Sequence, residues 1–137
     1  MLEPIENHLR PNEVLDPAAD LVVRGWPLTI DGILRNADAT RNRFSRSGAP
    51  FIAVSAEVTI AGWDLDAILS GPRLRTRSRY ASAPVGAVQA AGFELLATFV
   101  APHYSIVLPT YTENVVQRLL DVLGEPMPNL HFIGRKS

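Results

Sequence analysis

Short apolar runs alternate with amphipathic segments through residues 20–124, and glycine or proline separates most of them. The runs DLVVRG, FIAVSAEVTI, FELLATF and YSIVLP are rich in β-branched and aromatic residues, which is typical of strands. The pattern predicts an α/β or α+β domain with helices packed on one mixed sheet, in the order β-α-β-α-β-α-β-β-α. We expect about five strands in that sheet.

Helix signals fall between these runs. Thr29 is a suitable N-cap for a helix that continues to about Arg46, and WDLDAILSG predicts a short helix ending at its glycine. Ser82 and Gly92 have the residue types of an N-cap and a left-handed C-terminal residue. Thr110 lies three residues before a glutamate, which is the capping-box spacing of a final helix.

Length and composition indicate one domain. The chain has 137 residues, of which 47% are apolar and 20% charged, values close to those of ordinary globular proteins. We predict an extended acidic arm over residues 1–19, a globular unit over 20–124 and a proline-broken tail over 125–137.

Several classes of chemistry are excluded. The absence of cysteine rules out disulfides, thiolate zinc sites and cysteine nucleophiles. The one lysine, Lys136, lies in the predicted tail, so neither a Walker loop nor a Schiff-base lysine is expected. No HExxH, HxH or aspartate cluster is present, and we expect no metal and no cofactor. With neither an apolar span nor a signal peptide, we expect a cytoplasmic protein without a membrane partner.

An arginine occupies every second position of PRLRTRSRYA, and we call Arg73, Arg75, Arg77 and Arg79 the arginine row. If this segment is a strand, the four side chains project from one face. Because no acid lies between Asp66 and Glu94, the four charges repel one another unless an anion neutralises them. Guanidinium groups bind consecutive phosphates well, so the row predicts a nucleic-acid partner, RNA in the first place.

Three interpretations of the arginine row stay open: a nucleic-acid surface, a contact with protein, and a solvated edge strand. Arg35, Arg43 and Arg46 share the polar face of the first predicted helix and would extend a nucleic-acid surface. The acids of the arm could instead bind the row within one chain or between copies, giving a self-associating module, or an acidic protein could bind it. A solvated edge strand, kept soluble by charge, is the third alternative.

Two further arginines are candidates for an anion-binding cleft. Arg24 ends the first strand directly before Gly25 and Trp26, a position suited to meeting an anion at a strand end. Arg41 falls in the apolar stripe of the first helix, so it should pair with a carboxylate or line a cleft unless the helix ends before it.

His103 is the histidine of the predicted globular unit, at the mouth of the last hairpin and next to Tyr104. A metal-free ribonuclease needs a group that takes the 2′-hydroxyl proton, a group that protonates the leaving oxygen, and cations. His103, with Glu57 or Tyr104 and the arginines, could supply them. By analogy of size and charge, a small chain with −4 over residues 1–70 and +3 over 71–137 would suit a stand-alone toxin-type nuclease controlled by an acidic partner.

An enzyme alternative comes from a resemblance. Arg24 in VVRG, Ser55 in AVSAE and Glu94 in GFELL are similar in type and order to the arginine, serine and glutamate of mono-ADP-ribosyltransferases. The usual acidic signature of that class is lacking here. The resemblance implies an enzyme that consumes NAD and uses these three residues.

Overall fold

Nine strands and four α-helices are present in the computed structural model, which describes residues 1–11 and 13–134. The strands are β1 (Glu3–Pro4), β2 (Leu21–Gly25), β3 (Phe44–Arg46), β4 (Ala49–Pro50), β5 (Ala53–Val58), β6 (Arg79–Pro84), β7 (Glu94–Ala97), β8 (His103–Val107) and β9 (Met127–Pro128). The helices are α1 (Ile30–Arg41), α2 (Leu65–Ser70), α3 (Val85–Ala90) and α4 (Glu113–Leu123), with a 3₁₀-helix at Ile5–His8.

Six strands form the main sheet in the order β7-β8-β5-β2-β6-β9, and all neighbours are antiparallel. A small second sheet has the order β1-β3-β4 and contains a parallel pair, β1 with β3. The α+β class is therefore confirmed. The predicted order corresponds to β2-α1-β5-α2-β6-α3-β7-β8-α4, and the remaining strands are two or three residues long.

One face of the main sheet carries the largest core. Alternate residues of β5, namely Val54, Ala56 and Val58, lie in one buried cluster with residues of α1, α3 and α4. Ile33 of α1 and Leu119 of α4 are fully buried in this cluster. Ser55 and Glu57 of β5 project from the opposite face. No helix in the described part of the chain is both long and apolar enough to span a membrane.

The helix boundaries follow the capping residues only in part. Thr29 caps α1 as predicted, since its side chain accepts a hydrogen bond from the backbone of Gly32. Helix α1 ends at Arg41 and not at Arg46, because Phe44 lies in β3 and packs with Ile5 in a second core.

Two predicted N-caps are wrong. The cap of α4 is Thr112, whose side chain accepts from Val115, and not Thr110. Ser82 lies within β6, and α3 begins only at Val85. Gly92 does have the left-handed backbone that was predicted, with φ of +100°.

The predicted arm packs against the domain over much of its length. Ile5 is 1% exposed, between Phe44 and Phe51. The Arg10 guanidinium donates to the backbone oxygens of Thr98 and His103. At the other end of the chain, β9 extends the main sheet beside β6, so the start of the predicted tail also belongs to the fold. Residues 135–137 of that tail lie outside the described residues.

The predicted strand over the arginine row is wrong. Residues 71–77 form a series of turns, which we call the arginine turn, and β6 begins only at Arg79. Leu74 is buried against Val23 and Ile68, which draws the segment onto the sheet as a turn. The Asn129 amide donates to the backbone oxygens of Leu69, Leu74 and Arg77 and fixes its shape.

Replacing Asn129 with alanine should destabilise the protein by about 2 kcal/mol, since backbone oxygens of the arginine turn lose their shared donor. Chemical unfolding monitored by tryptophan fluorescence measures this change. Gln117→Ala is the control, because its amide donates only to the exposed Asp121 carboxylate. Equal stability of the two variants would contradict the role assigned to Asn129.

Candidate functional site

Strands β2 and β5 separate where β2 leaves their common ladder. They are paired at Val22–Val58 and Val23–Glu57, and beyond that point β2 pairs only with β6. The backbone of Ser55 in β5 therefore lacks a strand partner on this side. Its N–H donates to Asn36 Oδ1 at 3.0 Å, and its oxygen accepts from Arg24 Nη1 at 2.7 Å. Side chains thus complete the hydrogen bonds that a strand would otherwise make.

A cleft of about 380 Å³ opens at this separation, between α1 and the arginine turn. We call it the arginine cleft. Its lining comprises Arg24, Gly25, Trp26, Pro27, Gly32, Arg35, Asn36, Ala39, Ser55, Glu57, Arg73, Leu74 and Arg77. Gly25 allows Leu74 and Arg77 to pack closely against its backbone, because a Cβ there would lie 2.9 Å from the Arg77 side chain and 2.7 Å from that of Leu74.

The cleft carries four guanidinium groups and one carboxylate, that of Glu57. Glu57 is 4% exposed, and Arg73 Nε donates to its Oε1 at 2.8 Å. Burial raises the pKa of the Glu57 carboxyl above its usual value, and the neighbouring Arg73 opposes that rise. Arg24, Arg35 and Arg77 have no carboxylate bonded to them among the described residues, so the cleft favours an anion.

Arg24 is the buried member of this group, with 7% of its surface exposed. Its Nη1 donates to Asn36 Oδ1 and to the oxygen of Ser55, while Nε is buried without a partner in the described chain. Burial lowers the pKa of Arg24 to about 10, and Glu57 only partly opposes this. A ligand that brings negative charge into the cleft would stabilise the guanidinium.

A second pocket of about 260 Å³ adjoins the cleft and contains His103, so we call it the histidine pocket. Asn36, Ala39, Ser55 and Arg73 line both spaces. The strand register explains the adjacency, because His103 lies directly opposite Glu57, and cross-strand partners project from the same face. The structure therefore brings His103, Glu57 and Arg73 together.

Hydrogen bonds orient the imidazole of His103. Its Nδ1 lies 2.9 Å from Thr98 Oγ1, and that hydroxyl lies 2.9 Å from Ser105 Oγ. Burial, Arg73 and Arg10 lower the pKa of His103 to about 4, against a smaller opposing effect of the Thr98 backbone. The imidazole is thus neutral at pH 7. Its Nε2 has no hydrogen-bond partner among the described residues and is available to a ligand in the pocket.

Tyr104 does not join His103. It is the next residue on the same strand and therefore projects from the opposite face. Its ring packs under Arg10 at 5.2 Å and lines a separate pocket with Glu13. Burial raises the pKa of Tyr104 to about 12, so it stays protonated there.

Other predicted binding arginines are dispersed. Arg75 and Arg79 are exposed and line neither the arginine cleft nor the histidine pocket. Arg46 pairs with Glu94 through two hydrogen bonds of 2.7 and 2.8 Å. Arg43 does line the histidine pocket, lying over the ring of Phe44.

Arg41 pairs with a carboxylate, which is one of the two roles that its position in the apolar stripe predicted. Its Nε donates to Asp38 Oδ1 at 2.9 Å, and the guanidinium stacks on Tyr111 at 4.1 Å from the ring centre. Arg41 lies in neither the arginine cleft nor the histidine pocket, so of the two predicted cleft arginines only Arg24 lines such a space.

Sequence reasoning missed Asn36, Thr98 and Ser105. Asn36 directly precedes Ala37, a buried residue of α1, so a polar residue at the margin of an apolar stripe was the available signal. Thr98 directly follows β7 and Ser105 lies within β8, and nothing in their immediate sequence distinguishes them from ordinary surface polar residues.

Comparisons with protein-family models, with curated proteins and with solved structures find no match for this chain. Within residues 1–11 and 13–134, no group of three or more histidine, aspartate or glutamate side chains is arranged to hold a metal ion.

Proposed function

We propose that this domain binds single-stranded nucleic acid, RNA in the first place, in the arginine cleft and the adjoining histidine pocket. The convergence of Arg24, Arg35, Arg73 and Arg77 on one concave site, with Glu57 as the one carboxylate in its lining, is the observation that carries the proposal. Planar guanidinium groups bind phosphate oxygens in pairs, which suits a cleft of this charge. A cytoplasmic location, where RNA is abundant, belongs to the same proposal.

The shape of the cleft favours a single strand over a duplex. Trp26 lies at the mouth with 39% of its surface exposed, so its ring is free to stack on a base. A stacked base must be outside a double helix, and single-stranded RNA offers its bases in this way. One phosphate near Arg24 and one base on Trp26 would therefore occupy the site together.

The Arg35→Ala/Arg77→Ala double variant should bind a short single-stranded RNA at least about tenfold more weakly than wild type, since two phosphate-facing charges are lost. Fluorescence anisotropy at two salt concentrations measures the affinity, and the variant should show a shallower salt dependence. Neither arginine holds an ion pair in the described chain, so the fold should be retained.

Arg75→Ala/Arg79→Ala is the matched control. It removes the same charge from the same basic region, yet both residues are exposed outside the cleft, so affinity should change less than about threefold. An equal loss in both double variants would assign binding to general surface charge and not to the cleft. Absence of binding by the wild-type protein at low salt would overturn the proposal.

A second candidate, an NAD-consuming transferase, keeps partial support. Arg24 and Ser55 do line one cleft, in contact through the Ser55 oxygen. Glu94 does not, because it lies on β7 in an ion pair with Arg46, and Glu57 is the carboxylate near the other two. If this candidate holds, hydrolysis of NAD should be lost in Arg24→Ala and unaffected in Glu94→Ala.

The self-associating alternative has less support from the acidic arm. All its acids have partners within their own chain. Glu3 contacts His8, Glu6 accepts from the backbone of Ser47, and Glu13 pairs with Arg10. Asp16 accepts from the backbone N–H groups of Ala18 and Ala19, and Asp20 accepts from that of Asp16. None of these contacts involves the arginine row.

A further inference from the structure

We infer that the site cleaves the bound strand, which must therefore be RNA. In this reaction His103 Nε2 removes the proton of the 2′-hydroxyl group next to the bound phosphate. This rests on the proposed function and adds a reaction to it. The substrate is a phosphodiester with a free 2′-hydroxyl, so DNA would bind without being cut.

The orientation of His103 is the first support. Thr98 Oγ1 and Ser105 Oγ form a buried chain that ends at His103 Nδ1 and fixes the ring. In this proposal Nδ1 is the protonated nitrogen, donating to Thr98, so that Nε2 carries the free lone pair. Phe99 packs against the imidazole at 5.2 Å and limits its rotation. Nε2 has no hydrogen-bond partner among the described residues, and the ring lines the histidine pocket. A base held at one nitrogen and open at the other is arranged for proton transfer.

The position of Arg73 is the second support. Its Nε is held by Glu57, and the residue lines both the arginine cleft and the histidine pocket. A phosphate in the cleft would therefore meet Arg73 on the side that faces His103. Arg43 also lines the histidine pocket. Two cations around one phosphate stabilise the extra negative charge of the five-coordinate transition state.

The charge state of the imidazole agrees with a base. Arg73 and Arg10, together with burial, keep His103 neutral, and Glu57 is the carboxylate opposite it. A neutral ring can accept a proton, whereas an imidazolium ion could not, and the negative charge of a phosphate bound beside Arg73 would oppose the repulsion that disfavours the imidazolium ion. Arg10 bonds the backbone oxygen of His103 and Arg43 faces the pocket, so the neighbours of this histidine are mostly cationic.

The reaction balances without a co-reactant. His103 Nε2 takes the 2′-hydroxyl proton, the 2′-oxygen forms a bond to phosphorus, and the bond from phosphorus to the 5′-oxygen breaks. The leaving 5′-oxygen acquires a proton from water, and His103 returns its proton to solvent. The products are a strand ending in a 2′,3′-cyclic phosphate and a strand beginning with a 5′-hydroxyl.

The experiment uses the full chain and a labelled RNA of about ten nucleotides, a length of the order of one binding site. Cleavage and binding are measured on the same RNA, on the same sequence as DNA, and on RNA with 2′-O-methyl groups throughout. We expect cleavage of the unmodified RNA alone, with a cyclic phosphate on the 5′ fragment, and binding of all three.

His103→Gln should lower the cleavage rate at least about 100-fold and still bind RNA, because it loses the base while the guanidinium groups of the arginine cleft are unchanged. His131→Gln, purified in the same way, is the matched control. Among the described residues the His131 imidazole hydrogen-bonds only the exposed Asp66, so this variant should cut normally. The modified substrates test the inference even if His103→Gln folds poorly.

The experiment distinguishes failure of the cleavage inference from failure of the proposed RNA binding. Binding of RNA without cleavage would overturn this inference and leave the proposed function standing. Cleavage of the DNA or the 2′-O-methyl RNA, or undiminished cleavage by His103→Gln, would also overturn it. If no RNA is bound, the proposed function itself fails, and the inference fails with it.

Discussion

Replacing Arg24 with methionine should weaken RNA binding at least about tenfold, yet change the free energy of unfolding by no more than about 1 kcal/mol. Loss of affinity is expected because Arg24 is the buried cation of the arginine cleft, and methionine offers no donor to a phosphate. The second half of the expectation is less usual, since substitution of a buried, hydrogen-bonded arginine commonly destabilises a protein.

The small expected change in stability results from two opposing contributions to the free energy of unfolding. Burial lowers the Arg24 pKa from its ordinary value to about 10, which means that its charge costs the folded state about 3 kcal/mol relative to the unfolded chain. Removing it also leaves the Ser55 oxygen and Asn36 Oδ1 without their donor, at about 1 to 2 kcal/mol each. These terms nearly cancel, and methionine keeps most of the side-chain volume.

Urea unfolding and fluorescence anisotropy on the same preparations measure both quantities. Arg41→Met is the matched control, because Arg41 stacks on Tyr111 outside the cleft and should affect affinity little. A loss of more than about 3 kcal/mol in Arg24→Met would identify Arg24 as a structural residue. Unchanged affinity would remove it from the binding site.

The fold was predictable where local signals determine it. The strands at β2, β5, β7 and β8 followed from β-branched runs, and the start of α1 followed from Thr29. The arginine row was misread because its shape depends on distant contacts: Asn129 bonds Leu74 and Arg77, which lie 55 and 52 positions away. Alternation of arginine is compatible with a strand, but the burial of Leu74 overrides it.

The sequence allowed individual residues of the site to be predicted, but not how they are arranged in space. His103, Glu57, Arg24 and Arg73 were each candidates, but the register that places His103 opposite Glu57 joins segments 46 positions apart. Where β2 and β5 separate, Asn36 accepts a hydrogen bond from the backbone of Ser55, 19 positions away, and its place at the margin of an apolar stripe does not reveal that partner. Tyr104 is a different case, because adjacent residues on a strand project from opposite faces, and that rule alone separates it from His103.

Acid should destabilise the wild-type protein more than His103→Gln, by about 2 kcal/mol at pH 5 and about 3 kcal/mol at pH 4. The pKa of His103 is about 4 in the folded chain and 6.5 in its ordinary state, so the unfolded chain binds the extra proton first. The stabilisation is complete above pH 6.5 and is lost as the pH falls from there towards 4. Arg73 and Arg10 cause part of this difference, because both repel the imidazolium ion.

Urea unfolding of the two proteins at pH 7.5, 5 and 4 measures the difference, and the carboxylates that titrate in both cancel in the comparison. His131→Gln should follow the wild type, since that histidine is exposed. Parallel curves for wild type and His103→Gln would mean that the imidazole is not held neutral by its surroundings. The cationic character assigned to the histidine pocket would then be wrong.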